Sequence, residues 1–160
     1  MATIEAEAAP APGAPTAEER RNRELALRWF ATMNARDLDA TGELFAPDYR
    51  LHLPEAPEDL RGPAAIRAVI ESYVATFPDL RFIVLGAVAD GDTVVVRWRA
   101  EGTQRGALGG APATGRAAGW TGMSWLRFDG GRIAEDWVEH DTLGMMRQLS
   151  LLPAPPAGAS

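Results

Sequence analysis

The C-terminal part of the sequence carries one carboxylate that could transfer protons. Asp141 ends a strand-like segment that contains Trp137, and an apolar run follows it. A carboxyl group withdrawn from water beside an aromatic ring becomes a better proton acceptor, because burial disfavours its charged form. Asp141 is therefore a candidate general acid/base. It also directly precedes Thr142, and Asp is a common N-cap, so Asp141 could instead cap the last helix.

Two histidines offer further proton chemistry. His52 could donate a hydrogen bond to a substrate carbonyl as negative charge develops there, or be tied to a loop carbonyl as an ordinary half-buried histidine. His140 is next to Asp141, and adjacent residues of a strand point to opposite faces, so only one of this pair can face the interior. We expect Asp141 to be that one and discount His140. The same alternation argues against an iron site built from two histidines and a carboxylate, and we predict no metal.

Aromatic side chains are the candidate binding groups, because they suit a flat, polycyclic ligand. For any single ring, a place in the hydrophobic core is the commoner outcome. The rings that we consider as substrate-binding are Trp29, Tyr49, Tyr73, Trp98, Trp125 and Trp137.

Composition excludes several kinds of enzyme and partner. The sequence has no Cys, so it forms no disulfide and offers no thiolate nucleophile. All 16 basic residues are Arg, and without Lys the chain cannot form a Schiff base with a carbonyl substrate or with pyridoxal phosphate. A net charge of −6 disfavours nucleic acid as a partner. No stretch approaches the ~18 apolar residues of a membrane span, so we expect a cytoplasmic protein with no membrane segment.

Helical patterns dominate the first half of the chain. Thr16 and Glu19 have the spacing of a capping box, and an amphipathic helix of about 18 residues follows them. A short second helix is predicted over residues 38–45. A third begins at Pro63, since proline is favoured in the first turn, and ends before Pro78.

Alternating patterns dominate the second half and predict a meander of antiparallel strands. On the last of these strands we expect the face that carries Trp137 to be the interior one, because this Trp can bury the largest area. A short helix is predicted after it, over 142–149. The predicted strands cover 48–53, 80–89, 93–102, 117–128 and 132 to 140 or 141.

Helices followed by antiparallel strands are typical of the α+β class. We expect the helices to pack on the concave face of a curved antiparallel sheet, which makes a cone whose inward side chains line a pocket. The predicted domain covers residues 16–152. Residues 1–15 and 153–160 are rich in Ala and Pro, and we predict that these two tails are disordered.

Several short motifs follow one another in an order that is characteristic of one family. They are Phe77-Pro78-Asp79-Leu80, Asp90-Gly91-Asp92, Gly102-Thr103 with Gly106, Pro112-Ala113-Thr114-Gly115-Arg116, the ending Gly131-Arg132-Ile133-Ala134-Glu135-Asp136-Trp137 through Asp141, and Gln148-Leu149. On these motifs the sequence resembles the SnoaL-like polyketide cyclases, also called ester cyclases, of the nuclear transport factor 2-like superfamily. The resemblance runs from about residue 24 to residue 149.

The resemblance implies a fold, a reaction and site residues. The fold is an α+β cone, usually in a homodimer. The reaction is a cofactor-free, intramolecular aldol ring closure on a hydrophobic polyketide, as in antibiotic biosynthesis, and the general acid/base Asp of the family matches Asp141. A histidine that faces the pocket matches His52. Some members carry His and Gln where this chain has Arg127 and Trp125, and we keep Arg127 as a binding candidate.

Three functions are open in this fold. The first is the ring closure, with Asp141 as general acid/base and no cofactor. The second is a different reaction in the same cone: hydrolysis of an epoxide, in which Asp141 and Arg97 or Arg99 position water, or an isomerase or hydroxylase-type role. Finding both arginines on the outer face of the sheet would exclude the epoxide version. The third is a module that binds a small molecule without chemistry.

Overall fold

The change from helical to strand periodicity after Pro78 also divides the fold. A computed structural model describes residues 13–152. The helices are α1 (Ala17–Ala35), α2 (Thr41–Leu44), α3 (Pro63–Thr76) and α4 (Thr142–Gln148), and a 3₁₀ turn, Leu38–Ala40, precedes α2. The strands are β1 (Phe45–His52), β2 (Leu60–Arg61), β3 (Arg81–Asp90), β4 (Thr93–Thr103), β5 (Ala117–Asp129) and β6 (Arg132–His140). Except for residues 13–15, the two predicted tails lie outside the described residues.

The first helix begins where the capping box predicts it. The Thr16 hydroxyl accepts a hydrogen bond from the Glu19 amide at 3.1 Å, and the Thr16 amide donates to the Glu19 carboxylate at 2.6 Å. These two bonds satisfy amides that the first turn would otherwise leave unpaired. The helix buries Trp29, Phe30 and Met33 along one side. This apolar stripe is what packs α1 against the sheet.

The six strands form one curved sheet in the order β2-β1-β6-β5-β4-β3. From β3 to β6 the strands are antiparallel neighbours, as the meander pattern predicts. The sheet as a whole is mixed, because β1 pairs in parallel with β6. No local pattern reveals that pairing, since β1 and β6 are far apart in the sequence, near the two ends of the domain. The α+β fold with a curved sheet is confirmed.

Alternation along β4 separates an inner from an outer face. Val94, Val96 and Trp98 are 0–4% exposed and pack under the helices, whereas Arg97 and Arg99 are exposed on the opposite face. Both arginines therefore point away from the interior. This excludes the version of epoxide hydrolysis that uses them.

The inner face of β6 differs from the prediction. Asp136 is buried, Val138 and His140 are partly buried, and all three line the interior, while Trp137 is 38% exposed on the other face. The expectation that the Trp137 face is the interior one is wrong. The neighbouring strand gives the reason, because Trp137 pairs across the sheet with the exposed Trp125.

No helix among residues 13–152 is long and apolar enough to cross a membrane.

We expect Gly122→Ala to destabilise the fold. A Cβ at position 122 would overlap the indole ring of Trp98 and crowd the carbonyl oxygen of Glu139. Overpacking of this kind costs about 1–3 kcal/mol, which urea unfolding would detect as a lower midpoint. Gly86→Ala is the matched control, since Gly86 also lies in a strand and a Cβ there would meet nothing within 4 Å. Equal losses in the two variants would contradict the prediction.

Candidate functional site

A cavity of about 60 Å³ lies between the inner face of the sheet and helices α1 and α3. Its volume corresponds to roughly two water molecules. Apolar and aromatic side chains form most of the wall, and Ser124, Asp136 and His140 are among its few polar groups. The rings in the wall are Trp29, Phe30, Tyr73, Phe82, Trp98 and Trp120.

Asp136 is the acidic group of this wall. Asp136 is 2% exposed, and its Oδ1 has no hydrogen-bond partner. Burial raises the pKa of the Asp136 carboxyl well above its ordinary value, because the charged form loses its hydration. The carboxyl therefore keeps its proton to a higher pH than an exposed Asp, and once ionised it is a stronger base.

Tyr49 is buried beside the cavity and does not line it. Its ring packs edge-to-face on Phe45 with the centroids 4.6 Å apart, and its hydroxyl has no hydrogen-bond partner. Burial, and then the nearby charge of Asp136, raise the pKa of Tyr49 well above its ordinary value. Most buried polar atoms in proteins are paired, so two unpaired ones in the same core region indicate a place where a ligand or water could bind.

His140 lies in the wall of the cavity. Its Nε2 lies 2.9 Å from the Glu55 carboxylate, and its side chain is 3% exposed. Thr142 donates a hydrogen bond of 2.7 Å to the same Glu55 oxygen. Burial alone would raise the pKa of Glu55, but the Thr142 hydrogen bond and the charge of His140 outweigh it and lower the pKa below its usual value. The rings of Tyr73 and Trp98 flank the imidazole, with centroids 6.4 and 6.3 Å away.

Asp141 lies outside the interior cavity, at the start of α4. Its carboxylate accepts a hydrogen bond of 2.7 Å from the Gly144 amide, and the residue is exposed. A side chain at position 144 would overlap the carboxylate, so the glycine makes room for this cap. The geometry is that of the helix cap, the second of the two interpretations of Asp141.

His52 lies on the outer face of the sheet, not in the pocket that the resemblance implies. Its Nδ1 is 2.7 Å from Asp59 and its Nε2 is 2.9 Å from Glu135, so carboxylates hold both ring nitrogens. The imidazole stacks on Trp137 at a centroid distance of 4.8 Å. The physical reason is the alternation of β1, which buries Leu51 and turns the next residue outward.

A network of charges surrounds Glu135 on this outer face. Arg127 donates to its carboxylate at 3.1 Å, and Arg50 lies 3.1 Å from its other oxygen. Burial by itself would raise the pKa of Glu135, but the hydrogen bonds from His52 and Arg127 and the charge of Arg50 lower it. Every carboxylate oxygen of Glu135 has a cationic partner, so this network is a structural device of the sheet.

The structure thus brings together only some of the candidates from the sequence. Trp29, Tyr73 and Trp98 line the cavity, and Tyr49 is buried beside it. The candidates found elsewhere are His52, Trp125, Arg127 and Trp137 on the outer face and Asp141 at the helix cap.

Sequence reasoning missed Asp136 and Ser124 and discounted His140, although all three line the cavity. One signal was available, because Asp136 and His140 have the same parity on one strand. Among the described residues no three His, Asp or Glu side chains are grouped as metal ligands would be.

Comparison with known proteins identifies the family. The sequence profile of the family described as "SnoaL-like polyketide cyclase" matches residues 24–149. The chain resembles a proposed SnoaL-like polyketide cyclase from Jannaschia sp. CCS1, with 26% identity and a TM-score of 0.81 over 89% of this chain and 100% of that one. It also resembles AclR, a proposed hydroxylase from Streptomyces galilaeus, with 25% identity and a TM-score of 0.76 over 87% and 91% of the two chains.

A third similar structure is IdmH, a proposed polyketide cyclase from Streptomyces antibioticus. It is 32% identical, with a TM-score of 0.72 over 81% of this chain and 98% of that one. A search of curated proteins finds no match. The family match spans most of the described residues, and the solved structures share the cone of helices on a curved sheet. The chain therefore belongs to the SnoaL-like polyketide cyclase family.

Proposed function

We propose that the protein is an enzyme that transfers protons on a carbonyl substrate inside the cavity, with Asp136 as general acid/base. One observation carries this proposal: a carboxyl group with an unpaired oxygen is buried in a cavity walled by aromatic rings. An unpaired buried carboxyl costs stability, and such groups are concentrated at functional sites. The family then supplies the reaction type, a cofactor-independent, aldol-type ring closure of a polyketide.

In its simplest form the chemistry uses one group that moves a proton twice. The ionised Asp136 removes a proton from a carbon flanked by two carbonyls, which forms an enolate. The enolate carbon attacks a second carbonyl of the same molecule and forms the new carbon–carbon bond. The proton returns from Asp136 to the resulting alkoxide. Rings such as Trp29 and Trp98 in the wall hold the flexible chain folded, and this positioning supplies much of the rate.

The size of the cavity restricts how a substrate enters. Pockets for drug-sized ligands enclose about 300–1,000 Å³, whereas this cavity has about 60 Å³. A polyketide therefore requires the cavity to widen. The segment 53–59 joins β1 to β2 without helix or strand. Leu53 of this segment lines the cavity, and Glu55 contacts the cavity residue His140. We propose that substrates enter past this segment.

Two substitutions separate Asp136 from Asp141 as the general acid/base. Asp136→Asn should slow proton exchange about 10²-fold or more, because the amide neither takes nor gives the proton. Asp141→Ala should keep the wild-type rate and lose about 1 kcal/mol of stability with its helix cap. The measurement is enzyme-dependent exchange of the C2 hydrogen of a 2-methyl-3-oxobutanoyl thioester into D₂O, followed by proton NMR.

The opposite pattern, with exchange lost in Asp141→Ala and kept in Asp136→Asn, would support the assignment that the resemblance implies and refute ours. Wild-type protein that binds the thioester and gives no exchange above the buffer rate would instead be a binding module. Circular dichroism of each variant shows whether a lost rate reflects a lost fold.

The stability of the protein should fall with rising pH through Asp136. Because burial raises the pKa of Asp136, the folded state keeps a proton that the unfolded chain releases above about pH 4. The folded state binds more protons there, so the free energy of unfolding decreases as pH rises toward the folded pKa, by up to about 1.4 kcal/mol per pH unit. Asp136→Asn removes this slope. Urea unfolding from pH 4 to 8 should show the free energy of unfolding of the variant rising relative to that of the wild type. A difference between the two that stays constant with pH would refute the prediction.

We also infer that the protein forms a homodimer through the outer face of its sheet. A row of apolar side chains crosses four strands there in register: Val88, Val95, Trp125 and Trp137. Val88 is 72% and Trp125 53% exposed. Contiguous exposed apolar surface of this kind marks an interface.

The next row of the same face favours a second copy as the partner. Arg97, Met123 and Glu139 lie side by side in register, with Met123 in the middle and 52% exposed. A twofold axis through Met123 places the Arg97 side of one copy against the Glu139 side of the other. Such a self-complementary patch is what an isologous dimer requires.

Replacement of one exposed ring should dissociate this dimer. Trp125→Glu introduces a charge into the apolar row and should give monomers in sedimentation velocity at micromolar concentration, where the wild type is dimeric. Leu143→Glu is the matched control, because Leu143 is equally exposed at 52% but lies on α4. A monomeric wild type, or a dimer in both variants, would contradict the proposed interface.

A further inference from the structure

His140 lines the cavity and is also held by a carboxylate. Its ring is almost fully buried, yet Nε2 faces a carboxylate from a loop that is distant in sequence, at 2.9 Å. The same Glu55 oxygen also accepts from the Thr142 hydroxyl at 2.7 Å. An ion-pair contact from the imidazole and a hydrogen bond from Thr142 thus converge on one oxygen, and together they hold the carboxylate against the ring. A carboxylate that orients an imidazole in this way is a recurring feature of histidines that move protons.

We propose that His140 is a second proton-transfer residue of the cavity and that Glu55 is its positioning residue. This inference rests on the proposed function and deepens it: His140 takes over the removal of the proton from carbon, and Asp136 remains the group that donates a proton. His140 touches the substrate, and Glu55 acts through His140. The substrate class is a compound with an acidic C–H group between carbonyls and a separate carbonyl acceptor.

The hydrogen atoms around the ring allow both protonation states. The Thr142 hydroxyl has one hydrogen, and its oxygen is 2.7 Å from Glu55 but 3.4 Å from Nδ1 of His140, so the hydrogen goes to the carboxylate. With Nε2–H donated to Glu55, Nδ1 of the neutral ring keeps a free lone pair that can accept a proton. When Nδ1 is protonated, the lone pair of the Thr142 oxygen can accept its hydrogen bond. The contacts of the ring thus fit a neutral and a protonated imidazole without rearrangement.

The two carboxyl groups of the site have opposite environments. The contacts of Glu55 lower its pKa, so it stays charged and stabilises an imidazolium. Burial raises the pKa of Asp136, so it holds its proton. The Glu55 carboxylate lies 2.9 Å from the His140 ring, and this contact assigns the base to His140. The protonated Asp136 is then the acid.

The positions of the two groups suit a reaction between two parts of one molecule. His140 and Asp136 are four residues apart on the inner face of β6, which corresponds to about 13 Å along the strand, and both line the same cavity. They therefore reach different atoms of a bound chain. His140 removes the proton from the carbon while the protonated Asp136 donates a hydrogen bond to the enolate oxygen. The enolate carbon then forms the carbon–carbon bond, and Asp136 gives its proton to the new alkoxide. Transfer of the proton from His140 to Asp136 through water then restores both groups.

The first experiment measures the same C2 exchange of the 2-methyl-3-oxobutanoyl thioester. His140→Gln should lower kcat about 10²-fold, because the amide keeps the size of the side chain and cannot relay a proton. Glu55→Gln should lower kcat about 10-fold with KM changed less than twofold. Glu58→Gln is the matched control, an exposed carboxylate of the same loop, and should match the wild type. If His140→Gln fails to fold, His140→Ala with added imidazole replaces it, and recovery of the rate is the expected result.

The second experiment needs no substrate. The ring ¹⁵N shifts of His140 should report a proton fixed on Nε2 in the wild type and a mixture of the two tautomers in Glu55→Gln. The chain has only two histidines, so His52→Gln assigns the signals. An unchanged tautomer in Glu55→Gln would overturn the positioning role.

The outcomes distinguish this inference from the proposed function. Wild-type kcat in His140→Gln, together with loss of exchange in Asp136→Asn, would overturn the role of His140 and leave Asp136 as the general acid/base. A loss in His140→Gln that appears only in KM would also overturn it. Wild-type exchange in Asp136→Asn would refute the proposed function instead.

Discussion

The pairing of β6 between β1 and β5 determines which of its side chains enter the cavity. Asp136 pairs with Leu51 on one side and Leu126 on the other, and both leucines are fully buried. Because side chains alternate along a strand, His140 then also faces inward and Trp137 faces outward. Both groups proposed to transfer protons, as well as the apolar row on the opposite face, depend on this register.

Two adjacent carboxylates show how strongly the register acts. Glu135 faces outward, where Arg50, His52 and Arg127 surround it and lower its pKa. Asp136, the next residue, faces inward, has an unpaired oxygen, and its pKa is raised. The two residues differ little in intrinsic acidity. Their different chemistry therefore comes from the sheet, because arginines surround the carboxylate on the outer face and the interior offers Asp136 no cationic partner among residues 13–152.

Local patterns in the sequence predict much of the fold and less of the site. The predicted meander strands end within one residue of the observed ones, because turns and alternation are local signals. The inner face of β6 was mispredicted, because both of its parities mix apolar and acidic side chains and Trp137 suggested burial. The rule that only one of His140 and Asp141 faces inward was correct, but the choice between them was not. The contact of Glu55 with His140 joins distant segments, and no spacing pattern predicts it.

The missing side chain of Gly122 has a consequence for how ligand preference could diverge. In register, Gly122 lies between Trp98 on β4 and His140 on β6, and the indole occupies the space that a methyl group at position 122 would need. The absence of a side chain at position 122 therefore allows the Trp98 indole to take its place in the cavity wall. A larger residue at this position would displace the indole, which lines the cavity, while Asp136 and His140 keep their places on β6. Substitution at position 122 alone can therefore change which ligands fit the cavity, with Asp136 and His140 unchanged.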